Sequence, residues 1–414
     1  MKRYIIYICV CVCSVVNVTA QHNTSSPYTR YGYGTIMDGG FGQSRAMGGI
    51  VYGVRSKQYT NPYNPASYTA IDSLTFRLET GVSFQISQQK GMDLKHTDSN
   101  GNFEFVSFQF PIKKWVAFSL GLMPYSMVGY NIQQGDTIAS TISAGRLGRT
   151  YQYEGSGGIT QLYAGLAFRP FKNLSVGGNF LFNFGTIEHE SRSVFSDKTY
   201  YGTTMTRSIK VKDVSGNFGV QGTVPMKNEH ELTLGATFQM KSKMTSEASQ
   251  TIITTDTTVL DFDNNFDIPM YIGVGLSYSY SDKFLFGFDY KRECWSDALF
   301  FGEKMFSDRN KFALGGQFLP NMNGRRYFQR VAYRLGTNFS ESYYTVNGEQ
   351  LHSFALTTGW GFPLKKGLNP TVINVAFEYG HNGSVSNGMI REQYFKFTLN
   401  ATINERWFVK RKLN

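Results

Sequence analysis

Past its first twenty residues this sequence is short of three things: cysteine, charge and long apolar runs. Of its four cysteines, Cys9, Cys11 and Cys13 fall at the extreme N-terminus, which leaves Cys294. A lone thiol makes no intrachain disulfide and no cysteine metal cluster. Cys294 stands beside Trp295 at the end of an alternating run and reads as a packing residue. Charged residues make up only 17% of the chain, and the formal excess of +11 is spread along its length. So diffuse an excess describes a solvated surface or lumen rather than a nucleic-acid site. No later stretch approaches the roughly 20 apolar residues that a membrane helix needs, which excludes a helical membrane protein. Eleven prolines and 43 glycines also fit poorly with long helices.

What is present is aromatic and exported. Phe, Trp and Tyr are 15% of the chain, which with so little charge excludes a disordered protein. Residues 1–20 read as a secretory leader: Lys2 and Arg3 form its basic end, Tyr4–Val16 its apolar part, and Val18-Thr19-Ala20 a cleavage site before Gln21. The apolar part is too short for a membrane anchor.

From residue 73 onward the sequence alternates with period two. In 231–241, Leu232, Leu234, Ala236, Phe238 and Met240 share one face, opposed by Glu231, Thr233, Thr237, Gln239 and Lys241. In 394–407, Phe395, Phe397, Leu399, Ala401 and Ile403 oppose Lys396, Thr398, Asn400, Thr402 and Asn404. A strand sends alternate side chains to opposite faces, so each segment has one apolar and one polar face. A soluble β-sandwich alternates too. Three features favour a transmembrane barrel: apolar faces rich in Phe, Leu and Val, segments often longer than ten residues, and connections that alternate between short and long. Strands are expected near 73–90, 102–112, 115–131, 149–169, 174–190, 206–224, 231–247, 266–281, 283–295, 308–319, 330–345, 349–363, 370–382 and 390–409. That gives an all-β, antiparallel barrel of about 14 strands over 73–409. Short turns such as 113–114, 170–173 and 281–282 face the periplasm. Longer connections at 132–148, 191–205, 248–265 and 296–307 face outward. Residues 410–414 form a basic periplasmic tail.

Residues 21–72 lack this alternation and are rich in Gly, Tyr, Ser and Asn. Some fifty residues are too few for a robust core of their own. They fit either a loose periplasmic tail or, better, a plug folded into the lumen. Within them stands Asn64-Pro65-Ala66-Ser67-Tyr68. In the expected third strand stands Gly121-Leu122-Met123-Pro124-Tyr125-Ser126-Met127-Val128-Gly129. Proline offers no N–H to a ladder, so Pro124 in a closed barrel implies a break or bulge.

These two motifs, ahead of and inside a barrel of this size, resemble the FadL-like family of outer-membrane transporters for long-chain fatty acids and other hydrophobic compounds. The resemblance implies that Asn64, Pro65, Ala66, Ser67 and Tyr68 belong to an N-terminal hatch. It also implies that Gly121, Pro124, Tyr125 and Gly129 mark an inward kink, where a small hydrophobic ligand leaves sideways into the membrane lipid. The polar outer stretches, with Gln133, Gln134, Asp136, Arg192 and Asp197, depart from the greasy capture loops of that family.

Other signals are weaker. Asp261–Asn265 has the oxygen spacing of a calcium loop, but Phe266 and Ile272 stand where Gly and Glu belong. The six histidines show no ligand spacing, and Gly155-Ser156-Gly157 has no strand-to-helix elbow around it. Arg77, Glu79, Asp289, Lys291 and Glu378 belong to the lumen side, where charges solvate the interior or pin a plug. The chain is therefore expected to be no enzyme and to need no cofactor or metal. It is expected to sit in the outer membrane of a Gram-negative cell and to pass a small hydrophobic compound. The alternative is a non-transporting partner subunit of an outer-membrane protein assembly or secretion complex. An open diffusion pore is disfavoured by the plug.

Overall fold

The computed structural model describes residues 24–91, 95–139, 146–197, 199–262, 265–366, 369–385 and 389–406. The expected leader, the basic tail and Trp407-Phe408 lie outside them. In chain order the strands are β1 (Thr35–Ile36), β2 (Thr75–Lys90), β3 (Lys95–Lys113), β4 (Val116–Met127), β5 (Tyr130–Ala139), β6 (Arg146–Phe171) and β7 (Leu174–Phe195). There follow β8 (Thr204–Pro225), β9 (His230–Gln239), β10 (Ser242–Ile253), β11 (Thr257–Asp261), β12 (Phe266–Ile268) and β13 (Tyr271–Tyr280). The chain continues through β14 (Phe284–Glu293), β15 (Arg309–Phe318), β16 (Ala332–Val346), β17 (Glu349–Pro363), β18 (Val372–Asn382) and β19 (Arg391–Arg406). The wall is a closed antiparallel barrel of 14 strands. Closure is made by β19 against β2, from Arg406 opposite Thr75 to Arg391 opposite Lys90.

The wall is inside out relative to a soluble sandwich. Lumen-facing Arg77, Asn183 and Thr402 are 0% exposed, whereas Phe218 is 55% and Leu335 67% exposed. Burying the polar face and exposing the apolar one is favourable only where the outside is lipid. Short turns join the strands at one end of the barrel, among them Ser281–Lys283 between β13 and β14. That end is periplasmic by the usual rule for such barrels.

At the other end the wall rises beyond the apolar belt. β5 pairs with the outer part of β6, and the outer halves of β6, β7 and β8 remain paired with one another. β10 takes over from β9 as the partner of β8 above Asp213, and β11 and β12 add to β10. Strand therefore occupies much of 132–148, 191–205 and 248–265, which the sequence suggested as loops. The inner face of this extension packs on buried apolar side chains, among them Ile187, Ile209, Val211 and Met244, whereas 133–137 and β11 are exposed on both faces and lack the alternation that marks the wall. The expected strands 115–131 and 231–247 are each two strands, split at Val128-Gly129 and at Met240-Lys241.

Phe218 faces lipid within the belt, so the substitution F218K is expected to destabilise the barrel by about 2–4 kcal/mol. Urea unfolding of the full chain in lipid vesicles measures this as a lowered midpoint with an unchanged slope.

Candidate functional site

Residues 24–72 run among the inward-facing side chains of the wall. Their best-anchored part is the motif at 64–68. Asn64 caps a 3-10 turn, Pro65–Ala70, with its side-chain oxygen accepting from Ala66 N at 3.2 Å, and proline at the first position suits that start. The Asn64 amide donates to Tyr52 O at 2.8 Å and to Val220 O of β8 at 3.3 Å. Tyr68 donates its hydroxyl to Asn179 of β7 at 2.8 Å, and its carbonyl accepts from Gln109 of β3 at 2.9 Å. Ser67 donates to Asn61 O at 3.1 Å, and Ala66 is fully buried. Close approach requires small wall residues here: a Cβ on Gly219 would lie 2.2 Å from the Asn64 oxygen.

Earlier in the same segment the anchors are ionic. Asp38 meets Arg309 and Lys311 of β15, both at 2.8 Å, and Arg309 continues to Glu293 of β14 at 3.0 Å. Arg45 pairs with Glu104 of β3, which also takes Lys396 of β19 at 2.6 Å. Burial alone would raise the Asp38 carboxyl. The Arg309, Lys311 and Lys291 cations outweigh it and hold the group well below the usual carboxylate range. Burial works against the Arg45 charge, but the Glu104 and Glu378 carboxylates more than restore it. Asp289 accepts from Tyr52 N at 2.8 Å and also from Val51 N, Glu79 accepts from Thr60 N at 2.7 Å, and Arg77 donates to Lys57 O. Lys291 and Glu378 bond instead within the wall, to Glu293 and Tyr394. A cavity of about 220 Å³ remains among these groups, lined in part by Asp38, Arg45, Arg309, Lys311, Glu378 and Lys396.

The second motif sits where the wall ladder fails. Pairing of β3 with β4 ends at Val106 opposite Leu122, while β4 continues along β6 through a bulge between Pro124 and Ser126. Beyond that point β3 pairs with β2, and β5 pairs with β6. Among the described residues no ladder joins Lys95–Phe105 to β5. The end of β4 pairs instead with β1, Thr35 opposite Met127 and Ile36 opposite Ser126, and Met37 N donates to Tyr125 O at 2.9 Å. Gly121 lies back in the paired part, against Val106 O and Tyr163. Gly129 is clamped by Thr29, whose hydroxyl accepts from its N–H and lies as close to its carbonyl, each at 3.1 Å. A Cβ there would lie 2.0 Å from Thr24 O, so only glycine fits.

Residues 24–28 then cross the inner side of the gap. The Asn100 amide donates to Ser25 Oγ at 2.9 Å, Gln89 donates to Ser25 O, and Ser26 donates to Glu392 at 2.7 Å. Above them a dense aromatic cluster, including Tyr33, Trp295, Phe300, Phe306 and Tyr343, fills the outer lumen. Trp295 is fully buried, stacked on Tyr343 with centroids 4.4 Å apart. Sequence reasoning missed Asp38, Arg45 and the 24–29 crossing, because isolated polar residues in a non-periodic segment carry no pattern. Among the described residues no group of His, Cys, Asp or Glu is arranged to hold a metal. The calcium-like run includes Asp263 and Asn264, which lie outside them.

The family model for BamG matches residues 1–414. The chain belongs to the BamG family. Its fold is that of FadL-type channels. Over 90% of its length it superposes on 99% of the Ralstonia pickettii toluene transporter TbuX, with TM-score 0.60 and 14% identity. The Pseudomonas putida toluene transporter TodX gives TM-score 0.57 at 14% identity, covering 90% of this chain and 100% of that one. A FadL homologue from Pseudomonas aeruginosa gives TM-score 0.55 at 12% identity, covering 90% and 99%. No curated protein matches the sequence. These solved neighbours are transport channels of the outer-membrane barrel type, which agrees with the lipid-facing belt described above.

Replacing Asp38 with Asn leaves Arg309 and Lys311 buried with less compensation. The loss expected for breaking a buried pair is about 3–5 kcal/mol. Faster tryptic cleavage after Arg45 or Arg55 in the folded barrel measures it. Because the Asp38 value is depressed in the folded state, its contribution is complete above the unfolded carboxyl value of about 3.9. It is lost only as the pH falls below that value toward the folded one, so the ratio of the cleavage rates of D38N and the unaltered protein should be the same between pH 5 and 8.

Proposed function

We propose that this BamG-family barrel is a closed, non-transporting subunit of an outer-membrane protein assembly complex, with residues 24–72 as its hatch. The observation that carries this reading is the filling of the lumen. From Thr24 to Asp72 the segment is tied by buried side-chain bonds and ion pairs to strands around the wall, and the aromatic cluster closes the outer half. The small cavity that remains has a mixed lining in which Asp38, Arg45, Arg309, Lys311, Glu378 and Lys396 stand, which suits water better than an apolar solute. At 12–14% identity a shared fold brings no substrate with it. The aqueous extension formed by β5 to β8 and β10 to β12 supplies a surface above the membrane that a partner protein can reach.

Two measurements test the reading together. In planar bilayers the purified protein should carry no steady open current, and from gently solubilised membranes it should be recovered with a stoichiometric second protein. A large steady current, or recovery with lipid and no protein, contradicts it.

The gap at Pro124 favours a second reading: passive transport of a small hydrophobic compound, entering from outside, displacing the hatch and leaving sideways at the kink. Replacing 121–129 with a regular strand free of Pro and Gly should then abolish uptake of a labelled hydrocarbon. Unchanged uptake removes the side exit.

A further inference from the structure

The outer surface of β18, β19, β2 and β3 is layered by chemistry. Tyr379, Phe395, Ile86 and Ser99 stand opposite one another in one cross-strand row. Three of them are large and exposed: Tyr379 is 51%, Phe395 46% and Ile86 44% exposed, so this row is the upper rim of the apolar belt. Two residues further out, His381, Gln393, Gln88 and Thr97 form a polar row, in which the Gln393 amide reaches Tyr379 OH at 3.1 Å. Two residues beyond that, Arg391, Lys90 and Lys95 stand directly opposite one another on three adjacent strands.

That last row is electrostatically odd. Like charges placed directly opposite in a sheet are destabilising. All three side chains are exposed, and among the described residues none has an acidic partner. The acids nearest within these strands, Glu392 and Asp98, occupy positions of the other parity, and Asp93 of the joining turn lies outside the described residues. Glu392 is buried toward the lumen, where it accepts from Ser26. Three exposed cations in one row attract an anion from outside the chain.

The position says what it is. Four residues of strand advance about 13 Å, or about 10 Å along the membrane normal at the usual barrel tilt. The headgroup layer lies just beyond the hydrocarbon, and long Lys and Arg side chains reach back toward it. Adjacent strands are about 4.8 Å apart, so three cations span roughly 10 Å, the width of one large headgroup. We propose that Arg391, Lys90 and Lys95 bind the phosphate of a phosphorylated lipid in the outer leaflet. Its acyl chains lie on Phe395, Ile86 and Tyr379, and Gln393 and Gln88 bond its polar backbone. The bound lipid stands at the β3 side of the wall gap and covers the barrel there from outside.

The test uses the full chain in detergent micelles with diphosphorylated lipid A as probe, read by native mass spectrometry. The K90Q/K95Q/R391Q variant should bind roughly a hundredfold more weakly, from about fivefold for each basic residue near a lipid surface. The K113Q/K365Q/K366Q variant removes the same charge at the opposite end of the barrel and should bind as the unaltered protein does. Dephosphorylated lipid should bind the unaltered protein as weakly as phosphorylated lipid binds the triple variant. Inorganic phosphate should not compete, because it lacks the acyl contacts. Folding of each variant is checked by its heat-dependent shift on a gel. Equal lipid binding by the K90Q/K95Q/R391Q variant overturns the proposal. So does equal weakening by the control variant, or competition by inorganic phosphate. If that variant keeps its lipid and loses a co-purifying protein instead, an acidic partner occupies the row and the proposal is wrong.

Discussion

In the hydrocarbon of a bilayer no water is at hand to pair a free N–H or C=O, and each unpaired group costs several kcal/mol. The architecture follows from that constraint. It forces the wall to close, β19 on β2, and it makes a proline inside the wall expensive. The ladder to β3 ends at Leu122, just before Pro124, and the freed end of β4 turns to β1 of the N-terminal segment. The N-terminal segment is thus part of the wall's own hydrogen bonding as well as a filling. Further contacts at the gap, among them Thr29 on Gly129 and Ser25 on Asn100, hold the neighbouring edges to the same segment.

The lumen repeats the constraint in charge. Wall strands that turn an apolar face to lipid must turn their other face inward, and here that face carries Arg77, Glu79, Asp289, Glu293 and Arg309. Buried ions are tolerable only when paired and hydrogen-bonded. Residues 38–60 provide that pairing with Asp38, Arg45 and backbone N–H groups from Val51 to Thr60. Such an interior differs in kind from an apolar conduit, although the fold is shared with hydrocarbon channels. A fold fixes where a path can run, and the lining decides what can use it.

The wall was legible in the sequence because lipid on one side and polar lumen on the other impose strict alternation. The segment 349–363 matches β17 at both ends, and the Asn347-Gly348 turn before it has the left-handed backbone that this pair favours in a two-residue hairpin. Above the membrane 133–137 of β5 and all of β11 are exposed on both faces and were invisible for that reason, while the first half of β10 fell inside an expected strand. Pro124 announced a break, but no local pattern in Thr35-Ile36 announces that these two residues repair it. That pairing joins positions about ninety residues apart, and most contacts of the N-terminal segment with the wall span still more. Asn64 was conspicuous because a capped Pro turn is a local device. Asp38 was not, since its partners Arg309 and Lys311 are brought to it only by closure of the barrel.

Amide hydrogen exchange of the full chain in lipid nanodiscs tests the central claim most directly, followed at residues 35–37 and 125–128. If β1 completes the broken wall, these amides exchange as slowly as those of the neighbouring paired strand, Leu162–Phe168. If they exchange at the rate of an unstructured chain while the wall stays protected, the N-terminal segment does not complete the wall, and the account is wrong.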